Sequence, residues 1–260
     1  ECMNAHWPKH KVWHKEQKQK DKERREGTVA EHDRSTVEAQ ALEAERTGDE
    51  YLKRCASAMA LTSDGDSNAA AKAWRKIIKQ WPGRPEPYRN LAVTLERSSN
   101  VAEASQMMLK AMELFDDGTV RWAESVASAF DMLKSKACLE EPKPEWWNDE
   151  ALKALSARVV AVAPDQEQPC GMRARVLSGD ALCEAPWNAG PRTAAEIKEA
   201  ATWYRRSARV SLGPLDKQHD ELHARACDEV ADPLLAVEKA EVEKARAAAK
   251  AEAAEALKAA

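Results

Sequence analysis

The chain has 260 residues, with 44 acidic and 40 basic side chains and a formal net charge of −4. That balance, with 32% of residues charged, argues against a nucleic-acid coat and against a membrane protein. It carries 49 alanines but only nine glycines, three tyrosines and two phenylalanines, which supplies helices and starves sheets, so all-β and α/β classes are disfavoured.

The N-terminal segment, 1–34, reads as a charged arm. Its stretch 9–26 holds eight Lys or Arg and four acids with almost no periodic apolar face. Such a segment buries too little surface to offset its ordering entropy. Glu1–Pro8 lacks the basic start and apolar block of a secretory signal. The longest apolar run, Val159–Ala163, is far too short to span a bilayer. Six cysteines with no CxxC pair are expected to be buried or free thiols in a reducing compartment, so a soluble intracellular chain is expected.

From about Ser35 the pattern turns helical, with Val37, Ala41, Leu42, Ala44, Leu52, Cys55, Ala56 and Met59 recurring at spacings of three and four. Turn signals follow at SDGDSN (63–68), WPGRPEP (81–87), RSSN (97–100) and DDG (116–118). Each separates segments of amphipathic-helix length, and such short linkers force successive helices to pack antiparallel. Asn68 or Ser67 is expected to cap the second helix of the first pair.

A 34-residue period runs through 51–135. With Tyr88 at position 4 of a unit, Leu91 and Ala92 fall at 7 and 8, Leu95 at 11, Ala104 at 20, Met108 at 24 and Ala111 at 27. One period earlier, Ala58, Leu61, Ala70, Trp74 and Pro82 occupy positions 8, 11, 20, 24 and 32. One period later, Trp122, Val126 and Ala129 occupy 4, 8 and 11. Small residues at 8 and 20 let paired helices approach, and large ones fill the groove to the next pair. These positions resemble the tetratricopeptide (TPR) repeat family. The fold expected is therefore all-α: stacked antiparallel helical hairpins, a TPR-like α-solenoid, with a polar N-terminal arm and a long C-terminal helix.

The match departs after Leu133. Pro142 and Pro144 forbid helix in SKACLEEPKPEWW, so the helix expected over 149–163 comes about 14 residues later than a 34-residue step places it. Trp146 and Trp147 are expected to cap an open end of the core. Residues 166–192, rich in Pro, Gly and Asp, read as a linker or loop. In the C-terminal part, 193–260, Ala194–Val210 echoes the repeat at Ala200, Tyr204 and Ser207. A helix is expected over 215–228 and a last one opened by Asp232 and Pro233. Beyond Ala236 the chain is nearly pure Ala, Glu, Lys and Arg, which reads as a protruding helix. The repeat domain is thus placed at 35–165.

His219, His223 and Cys227 lie at i, i+4 and i+8, a spacing at which two imidazoles can share zinc. Asp220 stands where a zinc hydrolase of the HExxH type carries Glu, and no third ligand is evident. The reading adopted is two solvated histidines on a charged helix, with no metal site and no cofactor. His6, His10 and His14 share the spacing, but Pro8 interrupts any helix there. Asp64, Asp66 and Asn68 start like a calcium loop, yet Ala69 replaces its required Gly and Arg75 its bidentate Glu. No GxSxG, Walker loop or GxGxxG occurs, so no enzyme activity is expected.

In TPR proteins the first helices of successive hairpins line a concave groove that holds a partner's peptide or helix. That resemblance puts Glu86, Arg89, Asn90, Val93, Glu96 and Arg97 in the groove, with Cys55 and Met59 before them and Arg121 and Glu124 after, giving mixed charge. Asn90 matches the middle Asn of the carboxylate clamp that one subclass uses on chaperone C-termini. Ala58, Met59, Glu124 and Ser125 replace the clamp's other residues, so chaperone-tail recognition is not expected. The function expected is a non-catalytic adaptor or scaffold that binds another protein. Two alternatives stand beside it. In one, the insertion at 136–148 closes the groove and the chain is a structural subunit of a larger assembly. In the other, the basic arm makes it an RNA-binding accessory factor, although four acids interleaved with eight bases dilute the arm's field.

Overall fold

A computed structural model of the chain describes residues 38–39, 41–179, 182 and 186–259, with side chains described through 250. The charged arm, with Trp7, Trp13, His6, His10 and His14, lies outside the described residues, as do Cys2 and Cys183. Among the described residues there is no strand.

After a helical stretch at 41–47 come α1 (Glu50–Ser63), α2 (Ser67–Gln80), α3 (Pro85–Arg97), α4 (Val101–Leu114) and α5 (Val120–Leu133). Their boundaries fall at the four turn signals. Asp49 caps α1 through the Tyr51 and Leu52 amides, and Thr119 caps α5 through the Trp122 amide. The cap of α2 is Asp66, whose side chain accepts from the Ala69 amide, one residue before the expected pair. Pro85 opens α3, where a missing N–H costs nothing. Each helix packs against the next, and α1 also touches α3.

The small residues sit where the repeat requires them. Ala58, Ala70, Ala92 and Ala104 are fully buried together with Trp74, Ile77, Leu91 and Met108 in the first core, which α1 to α4 build with Ala129 and Met132 of α5. No larger side chain fits at such positions without pushing the helices apart.

The third hairpin pairs α5 with α6 (Asp149–Val162), as the expected insertion requires. The insertion carries a 3-10 turn, Lys136–Cys138, seated against α4, where the buried Cys138 thiol lies 3.8 Å from the Val101 carbonyl and 3.7 Å from Ser105 Oγ. Lys143 Nζ ties it down by donating to the Leu133 and Cys138 carbonyls. Trp146 and Trp147, expected to cap an open end, are half-buried. They pack against the second core, Trp147 on Phe130 (5.6 Å) and on Trp187 (6.1 Å) from the later Pro-rich stretch.

The segment 166–192, expected as linker or loop, contains helix α7 (Glu167–Ser178), most of it buried. Pro169 falls in its first turn, where backbone N–H groups have no helical acceptor anyway. Gly171 lies against the Arg175 guanidinium, 3.2 Å from where a Cβ would stand. Counted from Glu167, Ala174 takes position 8 and Leu177 position 11, both buried. With α8 (Ala194–Val210), which a Thr193–Glu196 capping box starts, α7 makes a fourth hairpin.

The two expected C-terminal helices are one, α9 (Pro214–Ala259), with Pro233 inside it. Proline removes the bond to the carbonyl four residues back, and here both Glu229 and Pro233 are exposed, so water can take up that carbonyl. Asp232 does not cap a helix; it accepts from Lys198 at 2.6 Å. The first turns of α9 close the third core through Ala224, Cys227 and Ala231 against Ile197, Ala200 and Tyr204. From Asp232 to Lys250 its side chains are almost all exposed.

Candidate functional site

The first helices of the first three hairpins, α1, α3 and α5, stand side by side and enclose a groove of about 850 Å³. Of the residues the repeat mapping selects, Cys55, Met59, Glu86, Arg89, Asn90, Val93, Arg97, Arg121 and Glu124 line it. Glu96 does not; it lies near Asp131 of α5, and burial and that carboxylate raise its pKa. No residue of the 136–148 insertion lines the groove: its 3-10 turn is seated on α4, the second helix of the preceding hairpin, and Trp146 and Trp147 pack against the second core.

Of the seven lining residues that were not foreseen, three change the groove's character. Arg84 comes from the WPGRPEP turn, before the first helical position, and its guanidinium lies over the Tyr51 ring at 5.2 Å. Val120 adds an exposed apolar edge at the start of α5. Trp74, assigned to the core as position 24, is 1% exposed yet forms part of the groove's floor. Arg84 could have been anticipated from its place one residue before the proline that opens α3.

The groove is therefore not evenly mixed: Arg84, Arg89, Arg97 and Arg121 face Glu86 and Glu124. Both glutamates are engaged. Glu86 accepts from Tyr51 Oη at 3.3 Å, and Glu124 accepts from Arg89 at 3.4 Å. Burial lowers the pKa of Arg89, opposed by the Glu124 carboxylate and assisted by Arg121. Burial also pushes the Cys55 thiol up to about 11, leaving it protonated at neutral pH.

Two donors in this wall have no acceptor among the described residues: Trp74 Nε1 and Arg89 Nε, both buried atoms. A buried N–H without a partner costs roughly 1–3 kcal/mol, so such groups are rare in native structures. What the wall offers is positive charge and unspent N–H groups above an apolar bed of Met59, Val93 and Val120. It is suited to holding an acceptor-rich chain.

His219 and His223 lie elsewhere, on α9. His219 is exposed, as expected of a solvated ring, but the two rings are in contact, with their Nε2 atoms 3.0 Å apart. His223 stacks on the buried Tyr204 at 5.2 Å. Burial, then the neighbouring His219, lower its pKa against the pull of Asp220. Among the described residues no group of three or more His, Cys, Asp or Glu could hold a metal ion. No described helix is long and apolar enough to cross a membrane.

No family model matches the chain, and no curated protein does. Among solved structures it is similar to a crystal structure of MamA protein, with 17% identity and a TM-score of 0.44, covering 74% of this chain and 90% of that one. It is similar also to a second crystal structure of MamA, with 18% identity and a TM-score of 0.44, covering 74% of this chain and 96% of that one.

Proposed function

We propose that the chain is a TPR-repeat adaptor without catalytic activity, and that the groove of α1, α3 and α5 holds an acidic segment of another protein. The observation that carries this reading is the pair of buried, unpartnered donors, Trp74 Nε1 and Arg89 Nε, in a wall where four arginines outnumber two engaged glutamates. A partner's carboxylates and backbone carbonyls would supply the missing acceptors, with charge-assisted bonds to the arginines. Met59, Val93 and Val120 would seat an apolar side chain between the acids. Because Glu124 stands where the chaperone clamp has Arg, an internal acidic stretch fits better than a C-terminal carboxylate.

The test uses fluorescence anisotropy with the full chain, an Asp/Glu-rich peptide interleaved with Leu, and a Lys-rich counterpart. The acidic peptide should bind, and binding should weaken at least tenfold in the variant that combines Arg89→Glu with Asn90→Ala, at unchanged helical content. Arg121→Glu, an exposed position, gives the same reading without disturbing the Arg89–Glu124 pair. Equal binding of both peptides, or undiminished binding by the variants, overturns the proposal. So does preferential binding of single-stranded RNA that falls steeply with salt.

A further inference from the structure

We propose that His219 and His223 form a two-histidine chelate for a borderline divalent cation of the zinc class, independent of the groove. The rings sit one turn apart on α9, with centroids 4.3 Å apart and planes inclined by 59°. Their Nε2 atoms are 3.0 Å apart. A tetrahedral zinc with Zn–N bonds of about 2.0–2.1 Å holds its ligand nitrogens about 3.3 Å apart, so the pair needs to open by only a few tenths of an ångström.

At 3.0 Å one ring donates an N–H to the other's lone pair. A cation between them replaces that single proton: both rings then present Nε2 lone pairs and carry their protons on Nδ1.

Two neighbours prepare the rings for this. His223 is stacked on Tyr204 with planes only 23° apart, and Tyr204 is itself locked in the third core, so one ligand is oriented before the ion arrives. His219 Nδ1, the nitrogen that does not face His223, lies 3.9 Å from the Asp220 carboxylate. That is too long for a hydrogen bond, so the carboxylate contributes here as a nearby negative charge that favours a cation. Arg175, whose charge acts on His223, is itself engaged by Asp131 at 2.8 and 2.9 Å.

Cys227 continues the spacing but is fully buried in the third core and cannot join. Two coordination positions are therefore left for water or for a donor from a bound molecule, which makes the site exchangeable rather than structural. Imidazole ligation selects zinc, nickel or copper over magnesium or calcium. The side chain of His219 is 64% exposed, so an ion has direct access.

The experiment is calorimetric titration of the full chain with zinc chloride and, separately, magnesium chloride, in a background where His6, His10 and His14 are Ala. Long-range ¹H–¹⁵N spectra of the imidazoles are recorded in parallel. One zinc should bind per chain, magnesium should give no heat, and the Nε2 resonances of both rings should shift together. His219→Ala and His223→Ala should each weaken zinc binding at least tenfold. His219 is the safer variant because its ring is exposed and supports no core contact. Zinc affinity unchanged in His219→Ala, or saturation without a shift at both Nε2 atoms, overturns the proposal. Peptide binding by the groove should be the same with and without zinc, which separates failure here from failure of the adaptor reading.

Discussion

Arg192 reaches across 43 positions to grip Asp149, with one guanidinium nitrogen 2.5 Å from Oδ1 and the other 2.9 Å from Oδ2. The same head donates to the Gly190 and Val176 carbonyls, and Trp187 Nε1 donates to Asp149 as well. Asp149 opens α6 and Arg192 ends the stretch between α7 and α8, so this pair staples the two departures from the 34-residue period to each other. The Arg192 side chain is only 2% exposed. Removing it takes away the carboxylate's two shortest bonds, leaving Trp187 and Lys153 beside it, and deprives two carbonyls of a donor. Arg192→Ala should cost about 3 kcal/mol in urea unfolding, against less than about 0.5 kcal/mol for a surface change such as Arg209→Ala.

The same carboxylate sets an acid limit. Burial alone would raise the Asp149 pKa, but hydrogen bonds from Arg192 and Trp187 outweigh it and hold the carboxyl below the ordinary range. A depressed native pKa contributes stability that is fully present above the unfolded value, about 3.9, and is lost as pH falls below it toward the native value. The stability gap between the wild-type chain and Asp149→Asn should therefore be constant from pH 7 to 5 and shrink below pH 4. A gap independent of pH would contradict this.

Ser99 follows α3 with φ 63°, the one non-glycine residue in the left-handed region among those described. Its turn is closed by the Asn100 amide donating to the Leu95 carbonyl, a C-terminal motif that glycine suits best. Ser99→Gly should raise stability by about 0.5–1 kcal/mol, read as a higher denaturant midpoint with an unchanged slope.

Trp74 separates folding from binding. Phenylalanine keeps most of its packing and removes the buried N–H that lacks a partner. Trp74→Phe should change stability by less than about 1 kcal/mol while weakening acidic-peptide binding about tenfold. Loss of stability without loss of affinity would place the indole in the core alone.

The repeat was legible wherever small and large residues kept step. Ala58, Ala92, Ala70 and Ala104 marked the helix crossings, and nine of the ten residues named for the groove line it. Three things stayed hidden, each for a local reason. Helix α7 carries Pro169 and Gly171, which read as turn residues until their context is known: one in a first turn, the other under the Arg175 side chain. Pro233 read as a helix start because sequence alone does not reveal that Glu229 and Pro233 both face water. Trp146, Trp147 and Trp187 meet only because two insertions far apart in sequence fold onto the same core, and no periodic pattern announces such a contact.

The most direct test places a photo-crosslinking residue at Val93, inside the groove, and at Lys110, an exposed site on α4, in otherwise identical full chains. With an acidic partner peptide bound, crosslinks should form from position 93 and not from 110. Crosslinking from 110 that equals or exceeds that from 93 would show that the hollow between the first helices is not the binding surface.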